Sequence, residues 1–206
     1  MKLYYNLLST NSRRALAAVY HVDQKIELQS VDFTTGFIES SEFMKLNPNG
    51  MLPVLQDGNF SLWESNAIMQ YVCTKFNNTS IYPTDSQMRA DINRWQFWVM
   101  SHFGPACDTL MWENMMKKMF DAGSPDATKV AEATEEFHTY AKVLDQHLSS
   151  NSYLVGNSLT IADYSVAANL TYFQQSHFPI QGYSNILNWY KKVESQDAWK
   201  KSAPKF

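Results

Sequence analysis

The sequence contains little cysteine, no cluster of basic residues and no long apolar run. Its 206 residues include two cysteines, Cys73 and Cys107, and neither belongs to a CxxC pair, which excludes a disulfide framework. A membrane-spanning helix needs about 20 mostly apolar residues, and no such run occurs. The formal net charge is -3 and no basic block is present, so nucleic acid is not an expected partner.

The sequence also lacks the common catalytic and cofactor motifs. It has no GxGxxG, GxxxxGK, GxSxG or HExxH pattern, and no two of its histidines are four residues apart, so no metal site is expected. Arg13 and Arg14 stand where the apolar part of a secretory signal would have to continue. We therefore expect a cytoplasmic protein that binds no metal.

The first part of the chain alternates between strand and helix patterns. Short runs of alternating or apolar residues predict strands, and apolar residues at helical spacing predict the helices between them. A strand, helix and strand in about thirty residues is long enough for a parallel crossover, and Asp57-Gly58 predicts a hairpin turn. The predicted strands are 2–5, 26–32, 52–56 and 60–62, and the predicted helices are 11–22 and 64–76. The order predicts an α/β sandwich of about 80 residues.

After residue 80 the pattern is helical throughout. We predict helices over residues 87–120, 125–149, 160–176 and 183–195. Gly104-Pro105 should kink the first of them, because proline removes a backbone hydrogen bond inside a helix. The chain is thus expected to have an α/β domain over 1–80 and an all-α domain over 87–206.

Leu52-Pro53 stands at the head of a predicted strand. Proline cannot donate to a strand ladder, so it belongs at a strand's first residue or at an edge. The simple interpretation is strand entry. The alternative is a cis bond that turns the backbone of Leu52 outward to pair with an extended peptide, although only about one X–Pro bond in twenty is cis.

Two predicted helices begin with polar residues that could bind a ligand or could simply cap the helix. Residues 63–66 (WESN) place Glu64 and Ser65 at the start of one helix, where Ser65 could cap it, a carboxylate could bind the backbone N–H groups and Glu64 could bind an ammonium. Residues 9–13 (STNSR) place hydroxyl and amide groups at the start of the other, where an anion, including a thiolate, could bind.

Taken jointly, these segments resemble a known family. Residues 47–55 (NPNGMLPVL), 57–58 (DG) and 62–71 (LWESNAIMQY) resemble the glutathione-site signature of cytosolic glutathione S-transferases. Residues 9–14 (STNSRR) resemble the serine motif of the theta- and phi-type classes, and residues 156–163 (GNSLTIAD) are similar to the family's capping motif in the second domain. The chain thus looks like a serine-type, theta/phi-like bacterial or related member.

The resemblance implies an α/β thioredoxin-like N-terminal domain plus an all-α C-terminal domain, and a homodimer active in detoxification. Ser9 would stabilise the glutathione thiolate, with Asn11 as a second catalytic candidate and Ser12 as a fallback hydroxyl. The backbone of Leu52, before a cis Pro53, would pair with the cysteinyl part of glutathione. The γ-glutamyl end would be held by Glu64 and Ser65.

The sequence departs from the family pattern where the glycine carboxylate of glutathione would bind. The theta- and phi-type proteins carry a basic residue where Ile38 and Glu39 stand, and Gln or Lys at the glutathione-site position occupied by Met51. A hydrogen bond to a charged group contributes roughly 1.5–3 kcal/mol, so weaker glutathione binding is expected.

Two further groups of residues matter in the helical part. Residues 95–116 are rich in aromatic and methionine side chains, from which Trp98, His102, Trp112 and Met115 are candidates for contacting an apolar second substrate, although core or dimer packing is the more common use of such a stripe. Asp163, three residues after Thr160, predicts a capping box whose carboxylate is buried and structural.

Three functions are compatible with these residues. The first is conjugation of glutathione to a small apolar electrophile, with Ser9 as the activating hydroxyl. The second is glutathione-dependent disulfide reduction using Asn11 and Thr10. The third is a non-catalytic binding module that retains the fold, because a fold alone does not determine function.

Overall fold

The computed structural model describes residues 1–204, which form two compact units. The first contains a four-stranded sheet with the order β2-β1-β3-β4. Its strands are β1 (Lys2–Tyr5), β2 (Glu27–Ser30), β3 (Val54–Asp57) and β4 (Phe60–Trp63). β1 pairs with β2 in parallel, which confirms the predicted crossover, and β3 is antiparallel to both β1 and β4.

This strand order brings three chain segments to one edge of the sheet. Because β1 and β4 are both antiparallel to β3, they point the same way, and the helices that follow them begin at the same edge. β3 starts at that edge too, since Val54 pairs with Tyr4 near the end of β1. The residues after β1, before β3 and after β4 are therefore neighbours.

The helices of the first unit follow from the apolar spacing of the sequence. They are α1 (Thr10–Val22), α2 (Ser41–Leu46) and α3 (Ser65–Lys75), and two 3-10 turns at Phe33–Thr35 and Phe37–Glu39 precede α2. α1 and α3 pack against each other, and the small residues of α1, such as Ala15, Ala17 and Ala18, are fully buried. A separate apolar cluster is formed by Tyr4, Val31, Phe43, Leu52 and Val54.

The second unit is helical, as predicted. Its helices are α4 (Ser86–Trp98), α5 (Gly104–Met111), α6 (Lys117–Met119), α7 (Ala127–Leu148), α8 (Ile161–Asn169) and α9 (Ser184–Glu194). α4, α5 and α6 are joined by π-helical turns at Val99–Phe103 and Trp112–Met116. No helix among residues 1–204 is long and apolar enough to cross a membrane.

The first π-helical turn lies where the sequence predicts a kink. Pro105 is in the first turn of α5, where its missing N–H costs least. A Cβ on Gly104 would lie 2.5 Å from the carbonyl oxygen of Val99, a separation that side chains do not tolerate. The glycine thus permits the wider turn that accommodates the proline.

Two features at the C-terminal end differ from the prediction. The helix predicted over 160–176 ends at Asn169 and continues as turns. A further helix, α10 (Asp197–Lys201), was not predicted, and it packs on α1. The segment from Glu194 onward therefore belongs to the first unit, which corrects its assignment to a domain over 87–206. The physical reason is Trp199, which is buried and stacks on the Arg13 guanidinium of α1 at 3.9 Å.

Both cysteines are buried and are poor nucleophiles. Cys73 lies on the buried side of α3, and burial raises the pKa of its thiol to about 12. Cys107 in α5 is also buried, and the same desolvation raises its pKa well above the ordinary value. Because the thiolate is the reactive form, burial disfavours nucleophilic chemistry at both cysteines.

Asp163 ties three parts of the second unit together. Its fully buried carboxylate accepts hydrogen bonds from the backbone N–H groups of Leu154 and Thr160 at 2.9 and 2.8 Å. It also accepts from the hydroxyl of Thr160 at 3.1 Å and from the indole Nε1 of Trp189 at 2.8 Å. With the Thr160 hydroxyl accepting from the first turn of α8, this is the predicted capping box.

We predict that Asp163→Ala destabilises the protein by about 3 kcal/mol or more, because it leaves several buried donors without an acceptor. The free energy of unfolding from urea denaturation is the measurement. Asp197→Ala, which removes a carboxylate from the exposed start of α10, is the control and should change stability by less than about 0.5 kcal/mol. A normally stable Asp163→Ala protein without activity would contradict a structural role.

Candidate functional site

A cavity lies at the sheet edge where the three segments meet. It is lined by Asn11, Asn47, Asn49, Met51, Leu52, Pro53, Glu64 and Ser65. Six of these residues are sequence-based candidates, drawn from the start of α1, the loop before β3 and the start of α3. The structure thus brings together residues that lie up to 54 positions apart in the sequence.

Ser9 caps α1, two residues before Asn11. Its hydroxyl oxygen accepts a hydrogen bond from the backbone N–H of Ser12 at 3.1 Å, and its own backbone N–H donates to the carbonyl of Asn6 at 3.1 Å. A serine hydroxyl has one hydrogen to donate besides its lone pairs, so this capping contact leaves the O–H group available. Ser9 is half-buried and is not one of the residues that line the cavity, whereas Asn11 is exposed and lines it.

The two neighbouring hydroxyl candidates are buried. Thr10, the first residue of α1, is 7% exposed. Ser12 is fully buried, and its hydroxyl oxygen accepts from the backbone N–H of Asn6 at 3.2 Å. Ser12 therefore supports the loop from inside, and neither hydroxyl faces the cavity as Asn11 does.

The Leu52–Pro53 bond is cis, and the pair lies directly before β3. The side chain of Leu52 is buried in the cluster with Tyr4, Val31 and Phe43. Leu52 nevertheless lines the cavity. Because its side chain is committed to the core, the group that it can offer to a ligand is its backbone.

Asn47 and Asn49 are cavity residues that the sequence analysis treated only as a turn. The buried side chain of Asn47 donates to the carbonyl of Met51 at 2.8 Å and accepts from the backbone N–H of Asn49 at 3.0 Å. Gly50 closes the turn with φ 62, a left-handed conformation that favours glycine. The NPNG segment could have indicated this role, because the buried side-chain amide of Asn47 fixes the loop that carries Met51 and Leu52.

Glu64 has an uncommon backbone conformation. It precedes α3 with φ 71 and ψ 111, in a region that non-glycine residues rarely occupy. The cap of α3 is thus Glu64, without a capping hydrogen bond from its side chain, and Ser65, which the sequence offers as a possible cap, is the first helical residue. Strained residues of this kind concentrate at functional sites, and both residues line the cavity.

Asp57 links the β3–β4 hairpin to α3. The hydroxyl of Tyr71 donates to its carboxylate at 2.7 Å, and the ammonium of Lys75 donates to the same oxygen. The hydrogen bond from Lys75, followed by that from Tyr71, lowers the pKa of Asp57. These contacts fix α3 relative to the sheet and so help to hold Glu64 and Ser65 in place.

Ile38, Glu39 and Met51 are the residues at which the sequence departs from the family pattern, and they differ in exposure. Met51 is 67% exposed at the cavity. Glu39 is exposed and Ile38 is half-buried, both in the 3-10 turn at Phe37–Glu39 before α2. Among residues 1–204, no lysine, arginine or histidine lines the cavity.

The four second-substrate candidates do not form one group. Trp98 is half-buried, and its ring lies 5.1 Å from Trp95 and 6.3 Å from Tyr140. His102 is exposed, with its ring 5.3 Å from the same Tyr140. These two candidates therefore share a neighbour on α7.

Trp112 and Met115 lie further along, in the second π-helical turn. Trp112 is exposed, and the sulfur of Met115 accepts a hydrogen bond from the hydroxyl of Ser176 at 3.7 Å. An exposed tryptophan in a π-helical turn is a surface that an apolar molecule can contact. Among the described residues, no group of three or more histidine, cysteine, aspartate or glutamate side chains could hold a metal ion.

Comparison with known proteins agrees with the fold. The family model for the glutathione S-transferase N-terminal domain matches residues 1–74, and the model for the glutathione S-transferase C-terminal domain matches residues 98–197. A probable glutathione S-transferase GSTF2 of Oryza sativa subsp. japonica is 28% identical over 98% of this chain and 95% of its own length.

Two further relatives support the same assignment. Glutathione S-transferase 3 of Zea mays is 32% identical over 79% of this chain and 73% of its own length. The crystal structure of glutathione transferase F2 from Populus trichocarpa superposes with a TM-score of 0.90 at 26% identity, covering 98% of this chain and 96% of that one. With both family models matched in order, a sheet-edge cavity between two helix starts and this degree of likeness, the chain belongs to the glutathione S-transferase family.

Proposed function

We propose that this protein conjugates glutathione to an apolar electrophile and that the Ser9 hydroxyl stabilises the attacking thiolate. The observation that carries the proposal is the capping geometry of Ser9. The N–H of Ser12 occupies one lone pair of the Ser9 oxygen at 3.1 Å, so the hydroxyl hydrogen remains to donate to a ligand. Ser9 also stands at the N-terminus of α1, a 13-residue helix whose dipole favours a negative charge there.

In this scheme glutathione brings the reacting thiol, so the chain needs no nucleophile of its own. A free thiol has a pKa of about 8.5, so a few per cent is ionised at neutral pH. A hydroxyl donor and a helix N-terminus both favour the charged form. Each unit by which the pKa falls corresponds to about 1.4 kcal/mol of preferential stabilisation of the thiolate.

The rest of glutathione is assigned to the other two segments. The backbone of Leu52 pairs with the cysteinyl residue, and Pro53 shapes that edge. The γ-glutamyl end carries an ammonium and a carboxylate. Glu64 supplies the charge for the ammonium, and the hydroxyl and backbone N–H groups at Ser65 suit the carboxylate, because the first N–H groups of a helix have no partner within it.

The glycine end of glutathione is held less strongly. No basic side chain of the described residues lines the cavity, and the side chain of Met51 offers no hydrogen bond to a carboxylate. The amide of Asn49 is the nearest polar side chain of the lining in sequence to Met51, although it already donates to Asn47 at 2.9 Å. We therefore infer a weaker affinity for glutathione than a site with a basic residue would have.

The electrophile is assigned to the second unit, where Trp98 and His102 share the neighbour Tyr140 and Trp112 and Met115 lie in the second π-helical turn. Aromatic and methionine side chains adapt to different apolar molecules, which suits detoxification of varied electrophiles in the cytoplasm.

Glutathione-dependent disulfide reduction is the second candidate. The observation in its favour is that Asn11 is exposed and lines the cavity, where its amide could donate to a sulfur. The burial of Thr10 removes the hydroxyl that was expected to assist it. A non-catalytic binding module would retain the cavity without either activity.

We propose further that the protein forms a homodimer through the face of α4 and α7. Phe97 is 71% exposed, and Met100 and Val143 are exposed large apolar residues of the same unit. A cavity of about 270 Å³ lies between α4 and α7, lined by Arg94, Trp95, Trp98, Val143 and His147. Within the described residues the buried indole Nε1 of Trp95 has no hydrogen-bond partner. A second copy would cover the exposed side chains of Phe97, Met100 and Val143.

The Ser9 and Asn11 roles are tested by kinetics on a chloronitrobenzene-type electrophile and on a small disulfide. For conjugation, Ser9→Ala should lower kcat/KM by about 100-fold, as loss of an anion-stabilising donor does, and should raise the pKa of the pH–rate profile. Asn11→Ala, the matched control, should change it by less than about threefold. Conjugation that survives Ser9→Ala but is lost in Asn11→Ala would transfer the role to Asn11, and disulfide reduction lost in Asn11→Ala alone would favour the second candidate.

The binding of glutathione is tested by calorimetric titration. We expect the unmodified protein to bind in the millimolar to high micromolar range and Met51→Lys to bind at least about tenfold more tightly, because a charged hydrogen bond is added. Met44→Lys, at another exposed methionine of the first unit outside the cavity lining, is the control. Absence of binding at millimolar glutathione would rule out both enzymatic functions and leave the binding module.

The homodimer is tested by sedimentation velocity at micromolar concentration. We expect the unmodified protein to sediment as a dimer and Phe97→Glu as a monomer, because a charge would be buried without a partner. Phe120→Glu, at an exposed phenylalanine after α6, should remain dimeric. A monomeric unmodified protein, or a dimeric Phe97→Glu protein, would contradict the proposed interface.

A further inference from the structure

The loop between β1 and α1 is held by one residue that the proposed chemistry does not use. All four polar groups of Asn6 form hydrogen bonds. Its side-chain Nδ2 donates to the carbonyl of Val31 at 2.7 Å, and its Oδ1 accepts from the backbone N–H of Leu8 at 2.8 Å. Its backbone N–H donates to the Ser12 hydroxyl oxygen at 3.2 Å, and its carbonyl accepts from the N–H of Ser9 at 3.1 Å.

Three of these residues form a closed ring of hydrogen bonds. Asn6 donates from its backbone N–H to the Ser12 hydroxyl, Ser12 donates from its backbone N–H to the Ser9 hydroxyl, and Ser9 donates from its backbone N–H to the Asn6 carbonyl. Ser12 is fully buried, so the ring has a rigid inner member. The ring fixes the position of the Ser9 oxygen and the direction of one of its lone pairs.

The side chain of Asn6 connects this ring to the core. Val31, whose carbonyl it reaches, is buried in the apolar cluster and also donates its N–H to Tyr5 at the end of β1. The same cluster contains Leu52, the residue assigned to the cysteinyl part of glutathione. Asn6 therefore holds the loop of Ser9 to the structure that positions Leu52.

We propose that Asn6 is a positioning residue that holds the Ser9 hydroxyl so that it donates to the sulfur of glutathione. The inference rests on the proposed role of Ser9 and adds to it the means by which the hydroxyl is oriented. Asn6 does not contact the sulfur in this scheme. It acts because a donor misplaced by about 1 Å loses much of its effect on a reacting group.

The test is a double-mutant cycle on Asn6→Ala, Ser9→Ala and the double variant. The readouts are kcat/KM for conjugation and the pKa of enzyme-bound glutathione, followed by the ultraviolet absorbance of the thiolate. Asn6→Ala is expected to lower kcat/KM about tenfold and to raise the thiolate pKa by roughly one unit, which is the same free energy. In the Ser9→Ala background, Asn6→Ala should change either value by less than about twofold, because the group through which it acts is gone.

A matched control separates positioning from general stability. Asn78→Ala removes another half-buried asparagine of the first unit, whose Oδ1 accepts from the Ser80 hydroxyl at 2.7 Å and from the Ile81 N–H at 3.5 Å. It should alter the urea midpoint but leave the thiolate pKa unchanged.

Asn6→Ala removes the side-chain hydrogen bonds to Val31 and Leu8 and leaves the backbone groups of the ring in place, whereas Ser12→Ala removes the hydroxyl that closes the ring. Should Asn6→Ala fail to fold, Ser12→Ala is expected to raise the thiolate pKa in the same direction, again only when Ser9 is present.

Each outcome decides between the two claims. If Ser9→Ala leaves the thiolate pKa unchanged, the role of Ser9 is wrong and the positioning role fails with it. If Ser9→Ala raises the pKa and neither Asn6→Ala nor Ser12→Ala does, the role of Ser9 stands and the positioning role is overturned. An effect of Asn6→Ala that is equally large in the Ser9→Ala background would also overturn it, because Asn6 would then act independently of Ser9.

Discussion

The N-termini of α1 and α3 are the feature on which the site depends. A helix leaves its first four N–H groups without partners in its own backbone, and these groups favour a negative charge. In this protein α1 and α3 begin at the same sheet edge, because β1 and β4 are both antiparallel to β3. Glutathione carries anionic groups at both ends and, when activated, at its sulfur. The strand order therefore places two helix N-termini at one edge, which suits the anionic groups of the proposed ligand.

Much of the first unit could be predicted because its signals are local. The strands, α1, α3 and the turns at Asn47-Pro48-Asn49-Gly50 and Asp57-Gly58 all follow from spacing and turn chemistry within about ten residues. Leu52, Glu64 and Ser65 could be identified as candidates for the same reason, since each stands at or next to the start of a predicted strand or helix. Asn47 was missed as part of the site because its effect comes through a buried amide that only the folded turn brings together with Met51.

The features that could not be predicted arise from contacts distant in sequence. A serine before a helix usually caps it, yet the cap of α3 is Glu64 with φ 71, a conformation that local preference opposes and that the surrounding fold must hold. α10 is five residues long, and its position comes from Trp199 stacking on Arg13 across most of the chain. The π-helical turn before Gly104 depends on the close approach of the Val99 carbonyl.

The two cysteine thiols and the glutathione thiol of the proposed reaction have environments that shift their pKa values in opposite directions. Cys73 and Cys107 lie in apolar surroundings, and desolvation raises the pKa of each so far that the thiolate is negligible. The proposed site does the reverse, because it offers a hydroxyl donor and a helix N-terminus to a thiol that arrives with the substrate. Such activation needs no charged residue and no general base, but it depends on geometry, since a neutral donor acts over hydrogen-bond distance. Activation of this kind therefore requires a rigid loop around the hydroxyl. In this protein the ring of hydrogen bonds among Asn6, Ser9 and Ser12 holds that loop.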